Sequence, residues 1–203
     1  MAIGDQGHHQ SNFSHVGVLL VRLRLPFLLK HFPEKVVWSA YVCINGFLTI
    51  ALLALLGELT HSPFVFPSLG PTAYLFFFSP LAEASCPRNT ILGHGVGLLC
   101  GYTAFWLTGM HDFPQATPDS IYWPRVFAAA LSLSLTGAIM VYLSISHPPA
   151  GATTLIVALG ILSKPYYLVV IEAAVIVLAI HAWLLNHLAG LPYPTWGYVK
   201  RKV

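Results

Sequence analysis

Charge is what this chain has least of. Only 8% of its 203 residues are charged and 56% are hydrophobic, whereas a soluble domain carries about 25% charge. A water-soluble globular fold is therefore excluded. Cysteine is scarce as well: Cys43, Cys86 and Cys100 show no C-x-x-C spacing, which argues against a disulfide framework and a cysteine metal site. No H-E-x-x-H, nucleophile elbow or glycine-rich phosphate loop occurs, so no catalytic residue, metal or cofactor is expected. The opening MAIGDQGHHQSNFSHVG lacks arginine, unlike a transit peptide, and the first long apolar run starts near Val36, too late for a signal peptide. Net charge is +3, and seven of the 10 Lys and Arg residues flank the apolar runs at Arg22, Arg24, Lys30, Lys35, Lys200, Arg201 and Lys202. Such a distribution orients a membrane protein and gives no footing for nucleic acid.

What the chain does have is long apolar segments, at 36–57, 89–109, 121–145 and 165–188, each near the ~20 residues that cross a bilayer. Two shorter ones, Pro67 to Pro80 and Pro148 to Ser163, would reach only about 20 to 24 Å as straight helices. Each either joins the extended residues before it in a broken span or re-enters on the same side. Six crossings keep the basic ends and Arg88 inside, with Asp112 and Asp119 outside; four crossings move Arg88 outside. The positive-inside rule favours six by that one arginine. The expectation is a multi-pass protein of the plasma (inner) membrane with both termini cytoplasmic. An N-terminal arm, 1–35, contains GVLLVRLRLPFLLKHF, which is broken by Pro26 and predicted to lie in the interface. The tail, 191–203, carries Tyr193, Trp196 and Tyr198 and is expected at headgroup level.

Between arm and tail, 36–190 reads as one transmembrane domain with an internal repeat. FPSLGPTAYL from Phe66 lies over HPPAGATTLI from His147, matching Pro67 with Pro148, Gly70 with Gly151 and Thr72 with Thr153 without a gap. Each P-x-x-G-x-T follows a long span, begins a short one and precedes another long one. The fold class expected is an all-α polytopic membrane protein of two pseudo-repeats, 36–109 and 121–188, each long-short-long with a broken or re-entrant Pro-Gly half-helix. If the short segments cross, three spans per half make the halves inverted and bring the two motifs face to face near the midplane, the arrangement of a transporter site. If they re-enter, the halves are parallel and resemble a channel vestibule.

Proline suits a helix start because its missing N–H is not needed there, so helices are predicted to begin at Pro67 and Pro148. A helix start offers free N–H groups and the positive end of a dipole, glycine lets a ligand approach the backbone, and hydroxyls add donors. Ser68, Gly70, Thr72, Gly151, Thr153 and Thr154 are thus candidate contacts for a small anion. His147, standing where the first copy has Phe66, can balance an anion or carry a proton, or simply cap the helix. Gly93, Gly97 and Gly101 form a stripe for close helix packing, and His94, one position off it, faces either the same neighbour or a cavity. Glu172 is a proton-coupling or snorkelling carboxylate, on the face opposite His181; His181 and His187 are expected to be interfacial. Arg88 either attracts anions at a mouth or serves as an orienting charge.

These segments resemble the HPP family of small integral membrane proteins. SHPPAGATTL, PSLGPTAYLFF, CPRNTILGHGVG and YPTW look like its successive signatures, over about residues 36 to 197. The matching positions are His147, Pro148, Pro149, Gly151 and Thr153; Pro67, Gly70 and Thr72; and Pro87, Arg88, Asn89, Gly93 and His94. The resemblance implies four or more transmembrane helices and carriage of nitrite or a related small anion. Taken together, the sequence predicts a membrane transporter of a small monovalent anion, with protons as a candidate coupling ion and a homo-oligomer as one way to shield broken helices. A passive anion channel and a non-transporting assembly protein are the alternatives.

Overall fold

The computed structural model describes residues 22–115, 117 and 122–198. Asp119, Ile121, Lys200, Arg201, Lys202 and the first part of the arm, 1–21, lie outside the described residues. All regular structure among the described residues is helical. The helices are α1 (Leu25–His31), α2 (Glu34–Thr60), α3 (Leu69–Phe78), α4 (Pro87–Leu107), α5 (Trp123–Tyr142), α6 (Ala150–Ala158) and α7 (Pro165–Leu188). Four of them, α2, α4, α5 and α7, are long and apolar enough to cross a membrane. Proline occupies the first turn of α1, α4, α5 and α7. Pro26 therefore opens α1 and does not break a helix: its lost N–H falls where no intrahelical partner exists.

The short helices obey the same repeat as the sequence. A turn begins at Pro67 and at Pro148, and regular α-helix follows two residues later, at Leu69 and Ala150. These starts coincide when the two motifs are superposed. Ten and nine helical residues span only about 15 Å, half of a ~30 Å hydrocarbon core. Extended residues at 63–66 and 145–147 supply the other part of each path.

Contacts between helix ends show that both broken segments cross. Tyr41, early in α2, lies against Phe77 at the end of α3 and hydrogen-bonds Asn186 at the end of α7. At the other extremity Ser62, just past α2, bonds Tyr166 at the start of α7. The chain then folds back, with the Phe64 nitrogen only 3.6 Å from where a β-carbon on Gly57 would sit, and α3 continues to the face where α2 began. In the second half, Arg88 at the start of α4 reaches the Ser144 carbonyl after α5, 3.5 Å away. Arg125 at the start of α5 bonds the carbonyls of Pro114 and Gln115, beyond the end of α4. From His147 the chain climbs parallel to α4, passing Gly93, Gly97, Gly101 and finally Phe105. The halves α2–α3–α4 and α5–α6–α7 are thus inverted copies, which settles the choice between crossing and re-entrant segments. The Leu25 N–H donates to the Ala189 carbonyl at 2.9 Å, so α1 and the end of α7 share one face.

The centre of the molecule is α4, half of whose apolar window is buried against 17% for α2. Its glycine stripe makes this possible. A β-carbon on Gly97 would come within 2.8 Å of the Ala150 carbonyl oxygen, and one on Gly101 within 2.6 Å of the Thr154 carbonyl oxygen. Only glycine lets α4 and α6 meet backbone to backbone, and Thr154 seals the contact by donating to the Gly97 carbonyl at 2.8 Å. The outward faces carry Phe47, Leu99, Val141 and other exposed apolar side chains, as lipid contact requires.

Two expectations about the ends change. Tyr193 is buried, with its hydroxyl donating to the Ser85 carbonyl and its ring edge-on to Phe76; of the three tail aromatics, Trp196 and Tyr198 are exposed. A buried carbonyl in the 83–85 turn demands a donor, and Tyr193 provides it. His181 is not interfacial either, since it bonds Thr49 Oγ1 at 3.1 Å in the middle of α2.

Substituting Gly101→Val should lower the stability of the detergent-solubilised protein by the ~1–3 kcal/mol typical of overpacking, seen as a lower thermal midpoint. Gly137→Ala, whose β-carbon meets nothing within 4 Å, should leave it within about 0.5 kcal/mol. Thermal unfolding of both variants side by side checks this.

Candidate functional site

Where α3 and α6 start, three hydroxyl and imidazole side chains from different parts of the chain converge on His94. Thr72 Oγ1 lies 3.0 Å from His94 Nε2, and Thr153 Oγ1 lies 2.7 Å from His94 Nδ1. The two threonines are the matched positions of the repeat, so one imidazole bridges the two half-helix starts. His147 completes the group, its Nε2 3.2 Å from His94 Nε2 and 3.3 Å from Thr72 Oγ1. All four side chains are fully buried. The cluster is closed to both faces of the membrane.

The partners assign the protons. His147 Nδ1 lies 2.7 Å from the Ala84 carbonyl oxygen, which only accepts, so this nitrogen carries hydrogen and Nε2 is bare. Thr90 Oγ1, 3.4 Å from the same Nδ1, accepts from it more weakly. Two bare Nε2 atoms 3.2 Å apart would repel, so His94 donates from Nε2 and accepts the Thr153 hydroxyl at Nδ1. Thr72 returns its own hydrogen to the Ser68 carbonyl at 3.2 Å. A directed row of hydrogen bonds therefore runs from Thr153 through His94 and His147 to Ala84. It holds a single proton between the two rings.

Other candidate residues divide sharply. Ser68 caps α3 and is fully buried, yet its Oγ finds no hydrogen-bond partner among the described residues. Gly70 does not join the cluster: it is exposed, and a β-carbon there would meet nothing within 4 Å. Gly151 turns towards Leu133 of α5, 3.2 Å from its β-carbon position. Both sit one position before an alanine or proline on the far side of their first turn, so the close backbone approach expected of these glycines is directed away from His94. Thr154 is spent on packing, bonded to Gly97 and, at 2.6 Å, to Thr136. Arg88 is half-buried and fastens the ends of α4, α5 and the tail through Asn89, Ser144 and its own N–H to Trp196. Glu172 stands apart from the cluster on α7, beside Gly95.

Several residues that the sequence did not single out hold the site in place. Asn186 donates to the Phe76 carbonyl at 3.2 Å, and Ser85 donates to those of Leu75 and Ser79. The Phe76 carbonyl is an open acceptor at the end of α3 that hydrocarbon would leave unsatisfied, while Ser85 adds a second donor to carbonyls that already accept from the Ser79 and Ala82 N–H groups. α6 needs no such help, because Gly160, at φ 73°, closes it with Gly160 and Ile161 bonding back to Val157 and Ile156. Arg125 is 5% exposed, lies over the Tyr122 ring and ties down the 114–115 loop. An asparagine late in an apolar span was the one legible signal for the first of these.

A transmembrane protein of Dictyostelium discoideum is 27% identical over 131 residues, covering 63% of this chain and 42% of that protein. The chain thus spans less than half the length of that relative. No solved structure matches. The family described as HPP, transmembrane region, matches residues 31–194, which takes in every long span, both half-helices and the His94 cluster. The chain belongs to the HPP transmembrane family.

Proposed function

We propose that this protein carries a small monovalent anion, nitrite being the one that the family resemblance implies, through a site between the starts of α3 and α6. The observation that supports this most is the bridging of Thr72 and Thr153 by His94. Two half-helix starts, each worth roughly half a positive charge, sum to about the charge of one monovalent anion. The hydroxyls of Thr72, Thr153 and the unpartnered Ser68 supply donors that swivel from ring nitrogen or backbone to the anion. A second proton on the His94–His147 pair would further balance it, delivered along the row that ends at Ala84.

Full burial of the cluster favours a carrier over a passive channel, since a channel keeps a continuous wet path. The assembly reading is weakened because its glycine stripe is already occupied by α6 of the same chain. Placement in the inner membrane with both termini cytoplasmic is part of the proposal, in keeping with the basic residues on the face that α1 and the end of α7 share.

Purified protein in liposomes should take up nitrite with saturation, in preference to chloride, nitrate, formate and bicarbonate. Thr72→Ala and Thr153→Ala should each lower the rate about tenfold, the effect of one lost hydrogen bond to a charged group, while Thr153→Ser keeps most of it. Wild-type uptake by both alanine variants, with insertion verified, would overturn the reading. His147→Ala should insert normally and lose transport; normal flux would remove that ring from the mechanism.

A further inference from the structure

Across α4 from the His94 cluster, an apolar groove of about 680 Å³ lies between α4 and α7. Leu92, Gly95 and Leu99 form one wall and Val169 and Ile176 the other, with Glu172 between them. One carboxyl oxygen, Oε2, is buried without a hydrogen-bond partner among the described residues. Both oxygens lie 3.9 Å from the position a β-carbon on Gly95 would take. Gly95 is the neighbour of His94, so one backbone separates the carboxyl group from the imidazole pair.

The repeat assigns this position further meaning. His94 is seven residues beyond the proline that opens α4, and Glu172 is seven beyond the proline that opens α7. The inverted helices therefore present a titratable side chain seven residues in from opposite faces, one turned to the half-helix starts and one to the groove.

We propose that Glu172 is the proton-binding group of this protein, loaded within the membrane and coupled across α4 to the anion site. An unpaired carboxylate in hydrocarbon must acquire a cation or a proton. Among the described residues no lysine, arginine or histidine lines the groove, and Tyr102 is the one other titratable side chain there. Calcium or magnesium would want about six oxygen ligands and zinc about four ligands, beyond what the lining offers, and no group of three His, Cys, Asp or Glu forms among the described residues. The proton is the cation that fits. With the rings of His94 and His147 behind α4, a charge on Glu172 and an anion among them repel over about 10 Å, a penalty of about tenfold in anion affinity at an effective dielectric of 20. Proton and anion then enter together. The coupling rests on the transport reading above; the protonation of Glu172 does not.

The test uses the full chain in liposomes and dicyclohexylcarbodiimide, an apolar reagent that modifies protonated carboxyl groups from the lipid phase, read by peptide mass spectrometry. Glu172 should be labelled, faster at pH 6 than at pH 8, and the corresponding peptide of Glu172→Gln should not be. An inward proton gradient should stimulate nitrite uptake about tenfold in the wild type and leave the uptake of Glu172→Gln unchanged. Absence of label on wild-type Glu172, a measurement that needs no variant, would overturn the proposal, as would gradient-stimulated uptake by Glu172→Gln. Labelled Glu172 in a protein that moves no anion would retire the transport reading and leave the protonation site standing.

Discussion

Hydrocarbon offers no hydrogen bonds, so every backbone group that a broken helix leaves open must be answered from within the protein. That constraint organises the molecule. α3 stops after ten residues, and the 79–86 connection turns inward so that Ser85 can reach its last carbonyls. Tyr193 must then follow the connection inward to satisfy Ser85 in turn. Asn186 and Tyr41 form a second brace from α7 and α2. At the opposite ends of the half-helices, the open N–H groups and hydroxyls collect around one imidazole. The features that make α3 and α6 awkward as membrane helices are the same ones that make their starts a polar centre.

Much of this was legible because proline, glycine and threonine act locally. The prolines of the two P-x-x-G-x-T motifs set the helix starts through a steric rule that needs no tertiary context, and the hydropathy of the flanking spans supplied the two long-short-long halves while leaving crossing and re-entrant paths open. Residues whose role depends on a distant partner were far less legible. His94 was known to lie beside a glycine stripe, but no periodicity says that its two nitrogens face the two copies of one threonine. Asn186, Ser85 and Arg125 answer carbonyls contributed by other segments, and the need for them exists only once the chain has folded. Gly70 and Gly151 show the converse. Their residue type suited a close approach, yet the rotation of each half-helix points them elsewhere, to open space in one case and to Leu133 in the other.

The duplication is also unequal in chemistry. Phe66 is buried where the second copy has His147, so one half contributes an apolar wall and the other a ring that accepts from His94 and donates to Ala84. The same asymmetry separates the long helices that follow, His94 on one and Glu172 on the other. A protein built from two identical halves would hold its polar groups in balanced pairs. Here the second copy of each element supplies a different protonation chemistry.

Finally, the contact between α4 and α6 has a kinematic consequence. With Gly97 and Gly101 seated against the carbonyls of Ala150 and Thr154, sliding one helix past the other would drive backbone into backbone. The two therefore travel as a single rigid body that carries His94, Thr153 and His147 with it. Thr72 belongs to the other party, joined to that body at this point by the 3.0 Å hydrogen bond it accepts from His94. Separating α3 from that body would break the contact between Thr72 and His94.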